Sequence, residues 1–219
     1  MRKYLFIAAN EGTNWGGSEL LWSSAAEKLV RRGDEVRVSV RDFGESIPIV
    51  ELLCSAGCQI FYRRPRPSFI SRLIRKIFPH PEYWLEHVRS VGNGVDLVVI
   101  SQGSNSDGLP WMEASRAAGY KYAVIVQSAS VYSWPNDELA IRLAESYENA
   151  SAGYFVSQAI LDLSRRQFAS PLPNAKIVRN PFNVRFDARP AWPIDSADGI
   201  ALACVGRLEV NSKGHDLLL

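Results

Sequence analysis

The chain has 219 residues, 47% of them hydrophobic and 22% charged, and carries a net charge of +2 at neutral pH. Its length gives material for one large domain, or one domain and the beginning of a second, and its composition is that of an ordinary soluble protein. The near balance of charge excludes a global attraction to nucleic acid, so electrostatic arguments rest on local clusters and no nucleic-acid partner is expected.

Strand and helix patterns alternate along the chain. Residues 3–9, 35–40, 58–62, 96–101, 122–126, 153–156 and 176–178 are short runs rich in Val, Ile, Tyr and Phe. Helical apolar spacing fills 18–32, 47–56, 81–91, 109–118, 136–149 and 158–168. Continuous apolar strands such as Leu97-Val98-Val99-Ile100 suit a sheet covered on both faces. The predicted fold is therefore α/β, with a doubly wound, mostly parallel, Rossmann-like sheet, whose ligands sit in the loops at the carboxyl ends of the strands. The basic, apolar start is too short for a secretion signal and is interrupted by Asn10 and Glu11. No apolar run is long enough to span a bilayer.

The loop after the first strand, Asn10-Glu11-Gly12-Thr13-Asn14-Trp15-Gly16-Gly17-Ser18-Glu19, lets the backbone approach a ligand and leads into a helix amino terminus suited to phosphate. The same glycines also suit a tight turn capped by Ser18 or a neighbour. The loop lacks the spacing of a dinucleotide fingerprint and the lysine of a P-loop. From 180 to 199 periodicity stops and Pro181, Pro190 and Pro193 punctuate the sequence, which reads as a linker after a domain over 1–179. Residues 200–219 read as the opening of a further α/β unit, and the expectation is that the sequence is the front part of a longer protein. Cys54, Cys58 and Cys204 lack the paired spacing of a zinc or redox site and read as small buried hydrophobes in a reducing cytoplasm. No metal and no cofactor is expected.

Gly16-Gly17-Ser18-Glu19, followed by the Gly33-Asp34-Glu35-Val36 step into the second strand, resembles the start of family 4 glycosyltransferases. Phe155-Val156-Ser157, Val178-Arg179-Asn180-Pro181 and the Val205-Gly206-Arg207-Leu208 and Lys213-Gly214 pair are similar to later family segments in the same order, with Pro181 where the family has glycine. The resemblance covers nearly the whole chain. It implies the amino-terminal, acceptor-side domain of a GT-B fold, ending just inside a nucleotide-sugar-binding domain. It also implies transfer of a sugar from a nucleotide diphosphate sugar to a saccharide or lipid-linked hydroxyl, with retention of configuration, as in polysaccharide biosynthesis.

By that likeness the amides of Gly16 and Gly17 face a donor diphosphate or an acceptor phosphate, and Arg207 and Lys213 neutralise the leaving diphosphate. Arg207 and Lys213 also read as exposed surface cations. Many relatives carry histidine at the ends of the fourth and fifth strands. Here those places read Ser101-Gln102 and Gln127-Ser128, of which Ser101, Gln102 and Gln127 are substrate-binding candidates through hydrogen bonds and none is a base. No general base is assigned: His80, His87 and His215 read as satisfied or solvent-facing, and Asp107 and Asp137 as helix caps. The family's paired glutamates do not occur up to Leu219, so this polypeptide alone is expected to bind donor poorly and transfer nothing. A non-catalytic saccharide- or partner-binding module and a nucleotide-sugar epimerase are the alternatives.

Residues 63–78 concentrate Arg and Lys around Phe69, Ile70, Leu73, Ile74, Ile77 and Phe78 at helical spacing. Such a helix either packs its apolar stripe on the domain or lies on an anionic membrane surface. The second reading gives a cytoplasmic protein held peripherally at the inner membrane face.

Overall fold

The computed structural model describes residues 1–12, 15–64, 81–182, 184, 185 and 187–189. Arg207, Lys213, Cys204, His80, His215 and residues 65–78 of the basic segment lie outside the described residues. The described residues up to Pro181 form one compact unit, and those from Phe182 onward belong to a second.

In the first unit β1 (Lys3–Ala8), α1 (Glu19–Arg31), β2 (Glu35–Arg41), α2 (Pro48–Ser55) and β3 (Gln59–Arg63) come first. They are followed by α3 (Pro81–Gly92), β4 (Leu97–Ser104), α4 (Leu109–Ala117), β5 (Tyr122–Ser128), α5 (Asp137–Glu148), β6 (Ala152–Phe155), α6 (Gln158–Phe168) and β7 (Ala175–Ile177). The strands form one seven-stranded sheet in the order β3-β2-β1-β4-β5-β6-β7, and every pairing is parallel. The chain turns back at β1, so the topological switch point lies between β1 and β4.

Alternation along the central strands divides the core into two layers. Leu5, Ile7 and Ala9 pack with Ile100, Trp111, Met112 and Val88 under the helices α3–α6. Tyr4, Phe6 and Ala8 pack with Trp22, Ala26, Val50 and Leu53 under α1 and α2. Leu5, Ile7 and Ile100 have no exposed surface, and full burial of such a side chain stabilises by about 1.5–3 kcal/mol. Cys58 belongs to this core, and its burial pushes the thiol up to about 11. Cys54 does not: it stands exposed on α2, whose inward positions are Val50 and Leu53, which corrects the buried reading for that residue. Gly33, at φ +90°, ends α1, after which Asp34 accepts the Arg2 amide at 2.8 Å and ties the helix end to the start of β1.

Two strands run further than their apolar patterns suggest. β4 continues to Ser104 and β5 to Ser128, where Ser104 pairs with Ser128. The Ser128 hydroxyl donates to the Gly103 carbonyl at 3.0 Å. Polar residues extend these strands because the ladder bonds are made by backbone, whatever the side chain.

The carboxyl ends of β1, β2 and β3 are joined by one buried cation. Arg63 is 3% exposed and donates to the Ala8 carbonyl at 2.6 Å, the Ser39 carbonyl at 2.7 Å and the Ser39 hydroxyl at 2.9 Å. Its guanidinium lies 5.0 Å from the centre of the Trp111 ring. Burial lowers its pKa to about 10, which leaves it charged at neutral pH. Arg63 is thereby withdrawn from the exposed basic surface expected over 63–78.

The Ser39 hydroxyl, which accepts from Arg63, also shares a hydrogen bond of 2.7 Å with His87 Nε2, its direction set by the tautomer of a ring that is neutral at pH 7. Burial, and secondarily the Arg63 charge, push His87 down to about 4 from its ordinary 6.5. Its aromatic neighbours are Tyr83 at 6.3 Å and Trp111 at 5.6 Å. Above pH 6.5 the folded and unfolded chains both keep this group neutral. Below that, the unfolded chain takes up a proton that the folded chain refuses, so stability falls until about pH 4. The loss from this residue is on the order of 2 kcal/mol, after discounting for its partial exposure. Urea unfolding between these pH values is expected to show a shallower acid slope in His87→Gln than in the parent chain.

Candidate functional site

The site is built at the carboxyl edge, where the register brings successive strand ends side by side. Ala8 pairs with Ser101, so two residues further Asn10 stands next to Gly103. A Cβ placed on Gly103 would lie 3.7 Å from Asn10 Cγ and 3.2 Å from Asp107 Oδ2. Asn10 and Asp107 therefore come together beside Gly103 at the switch point. Asp107 accepts the Ser104 amide at 2.7 Å and does not cap α4, whose N-cap is Gly108. That corrects the cap reading: the carboxylate turns back to the strand end. Partial burial raises its pKa, and the Ser104 N–H opposes the rise. Asp137 is also not a cap, because Asn136 fills that position for α5 by accepting from the Leu139 amide at 2.9 Å.

On the other side of β1, the glycine loop closes on its own glutamate. Glu19, 6% exposed, accepts from the Gly16 amide at 2.8 Å and the Ser18 hydroxyl at 2.6 Å. The amide of Gly16 thus points at a carboxylate that already occupies the helix amino terminus. Gly17 differs: a Cβ there would meet nothing within 4 Å. Trp15 pins the loop edge-on to Trp22 at 5.7 Å. Beneath lies a shallow cleft of about 10 Å³, room for about one water, lined by Asn10, Trp15, Glu19, Arg41, Phe43 and Ile47 among others. Arg41 faces it with its guanidinium 5.2 Å from the Phe43 ring centre and one N–H given to the Glu11 carbonyl.

The β4 candidates lie deeper than their sequence positions suggest. Because β4 runs on to Ser104, Ser101 and Gln102 are inside the sheet, 5% and 1% exposed, while Gly103 and Ser104 form the edge. Gln102 receives the Gly108 amide on Oε1 at 2.6 Å and donates Nε2 to the Tyr147 hydroxyl. A Cβ on Gly108 would collide with Gln102 Oε1, so this close approach requires glycine. Tyr147 passes its own proton to the Asn105 carbonyl at 2.8 Å, and burial raises its pKa.

Gln127 stands at the edge, half-buried. Its Oε1 accepts from Asn180 Nδ2 at 2.9 Å, and its Nε2 is a buried donor with no partner among the described residues. That donor is closed off from solvent, so what Gln127 presents at the end of β5 is the rest of its half-buried side chain. Ser157 caps α6 by accepting from the Ile160 amide at 3.3 Å. The structure brings Gln127 to the strand edge, leaves Gly17 exposed to solvent and makes Ser101 and Gln102 supports beneath. Sequence patterns gave no signal for Asn10, Gly103 and Asp107 as one group, since only the register aligns them. Chemically, the edge offers uncharged hydrogen-bonding groups, one carboxylate that can orient a hydroxyl, and Arg41 in the adjacent cleft.

No protein-family model matches this sequence, and no curated protein matches it significantly. Solved structures do share its fold. A glycosyltransferase from Rickettsia africae superposes with a TM-score of 0.56 at 13% identity, over 81% of this chain and 42% of that one. HepE of Anabaena in complex with UDP-glucose gives 0.54 at 16% identity, over 83% and 44%. LpCGTa in complex with UDP gives 0.52 at 9% identity, over 81% and 52%. The chain thus has the Rossmann-like α/β architecture of GT-B glycosyltransferases and spans about half the length of these proteins or less. Among the described residues no helix is long and apolar enough to cross a membrane.

Tyr147→Phe is expected to leave the Asn105 carbonyl and Gln102 Nε2 unsatisfied and lower unfolding free energy by about 1–3 kcal/mol. Urea denaturation measures the loss, and faster hydrogen exchange at the Gly108 amide would locate it in the loop after β4.

Proposed function

We propose that this chain is the acceptor-side part of a glycosyltransferase related to family 4. It moves a sugar from a nucleotide diphosphate sugar to a hydroxyl of a saccharide or lipid-linked acceptor. The observation that carries the reading is the meeting of Asn10 and Asp107 over Gly103 at the switch point, in a fold shared with solved glycosyltransferases, two of them holding UDP or UDP-glucose.

In this reading Asp107 accepts a hydrogen bond from the acceptor hydroxyl and Gln127, at the end of β5, hydrogen-bonds a sugar hydroxyl, so their contribution is positioning. The acceptor oxygen bonds to the sugar C1 as the C1–O bond to the diphosphate breaks. The electron pair and, in net, the hydroxyl proton leave with the nucleotide diphosphate. Retention of configuration is carried over from the family resemblance, as are the charge-neutralising roles of Arg207 and Lys213. The open approach at Gly17 supports passage of the diphosphate, whereas Glu19 holds the Gly16 amide for the loop itself. Residues 64–78 are the proposed contact with an anionic membrane surface.

The test uses the native polypeptide captured from its source cells with an antibody against residues 1–181, supplied with UDP-sugars and acceptors. Free UDP released only when acceptor is present supports transfer, and epimer formation without acceptor would sink it in favour of an epimerase. Asp107→Asn keeps an oxygen for the Ser104 amide but loses the charge, so turnover is expected to fall about 10- to 100-fold. Gly17→Val is expected to raise the donor KM about tenfold or more by crowding the open approach, with little change in folding stability.

A further inference from the structure

The loop between β5 and α5 holds aromatic side chains out into solvent. Tyr132 is 94% exposed and Trp134 and Val131 are each 57% exposed. The loop is tied down from beneath. Gln167, 4% exposed on α6, donates to the Ser130 carbonyl at 2.8 Å and the Ser133 carbonyl at 3.1 Å. Its Oε1 accepts from Asn105 Nδ2 at 2.8 Å, and Asn105 also reaches the Ser164 hydroxyl at 2.9 Å. Within the loop, Ser130 Oγ accepts the Tyr132 amide at 3.2 Å and Trp134 Nε1 donates to the Val131 carbonyl at 2.9 Å. Buried amides are thus committed to fixing a loop whose side chains add nothing to the core.

We propose that Tyr132 and Trp134 form a stacking platform for a neutral saccharide. The indole donor is already satisfied inside the loop, which leaves the ring face as the binding element. A pyranose offers an apolar C–H face to such a ring and hydroxyls to the polar residues around it, here Ser130, Ser133 and Asn136. Charge narrows the ligand class. Residues 129–141 contain no Lys or Arg, and Asp137 and Glu138 open α5 directly after the loop. The loop itself therefore offers an anionic ligand no cation, and the nearby Arg142 and Arg165 are already paired with Glu113 and Asp162. The location gives the platform its role: the loop begins immediately after Gln127 and Ser128 at the carboxyl edge, and Gln167 ties it to Asn105 in the turn after β4. The loop backbone and the Trp134 indole are already held, which lowers the ordering cost of binding. Its assignment as the place where the acceptor sugar rests depends on the transferase reading, whereas saccharide binding itself does not.

The full chain is applied to an array of neutral oligosaccharides covering the common terminal pyranoses, and hits are titrated in solution. Binding is expected to weaken about tenfold or more in Tyr132→Ala and in Trp134→Ala and to stay within about threefold in the Phe variants, which keep a ring face. Melting temperatures should stay within about 2 °C, because both side chains point outward. No bound glycan on the array, or binding indifferent to both Ala substitutions, overturns the platform. So does retention on phosphatidylcholine vesicles that either Ala variant abolishes, which would make this a lipid contact. Acceptor-dependent UDP release by the native polypeptide is read separately: its absence with ring-dependent glycan binding intact defeats the transferase reading and leaves the platform standing.

Discussion

The arrangement of the carboxyl edge depends on one buried guanidinium. Taking Arg63 out of water costs several kcal/mol unless its hydrogen bonds are replaced. Two carbonyls and a hydroxyl from β1 and β2 replace three of them, and a Glu11 carboxylate 3.9 Å away supplies partial neutralisation from the surface. Each of these groups must stay in place for the charge to be tolerated. The end of β1 is consequently fixed against β2 and β3 at the point where the glycine loop departs. The loop's other end is held by Glu19, so a segment rich in glycine is anchored at both sides while Gly17 stays open.

A second network does the same for the other half of the edge with uncharged groups. Gln102, Tyr147, Asn105 and Gln167 link β4, α5, the turn after β4 and α6, and through Gln167 they reach the loop after β5. Amides and a phenol in a dry interior tolerate little misalignment, because any unmade bond costs its full desolvation. The two networks share a wall: Trp111 on α4 covers Arg63 and His87, and α4 begins at the Gly108 amide held by Gln102. Displacement of the turn after β4 therefore disturbs both.

The sheet and its helices were legible because they follow from periodicity, which every residue of an element repeats. Apolar continuity in Leu97–Ile100 and helical spacing in 158–168 each carry several independent signs of the same element. The site was legible only in part. Gln127 ends an apolar strand and was visible as a polar residue in a place where ligands bind. Ser101 and Gln102 looked equivalent to it, but the ladder extends past them through Ser104, and strand length set by backbone pairing leaves no mark on side-chain type. Asp107 followed a strand and preceded a helix, the signature of a cap, and only the three-dimensional turn sends its carboxylate back to Ser104. Arg63 stood at the head of a basic run and shared its apparent character, but it ends β3 opposite Arg41 and its side chain turns in to Ala8 and Ser39.

These displacements have a common physical origin. In a parallel sheet the residues at the mouth are chosen by relative register, a property of pairs of strands far apart in sequence. A motif within one loop states what that loop can offer, but which offers meet is decided across the sheet. Asn10 and Asp107 are close because Ala8 pairs with Ser101, and the aromatic loop has a fixed position because Asn105 and Gln167 meet across 62 residues of chain. Specificity in such an edge can change by altering the exposed tips, such as Tyr132 and Trp134, while the buried network that aims them is kept. The residues that aim and those that touch are thus under separate constraints, the first set by satisfaction of buried polar groups and the second by the ligand.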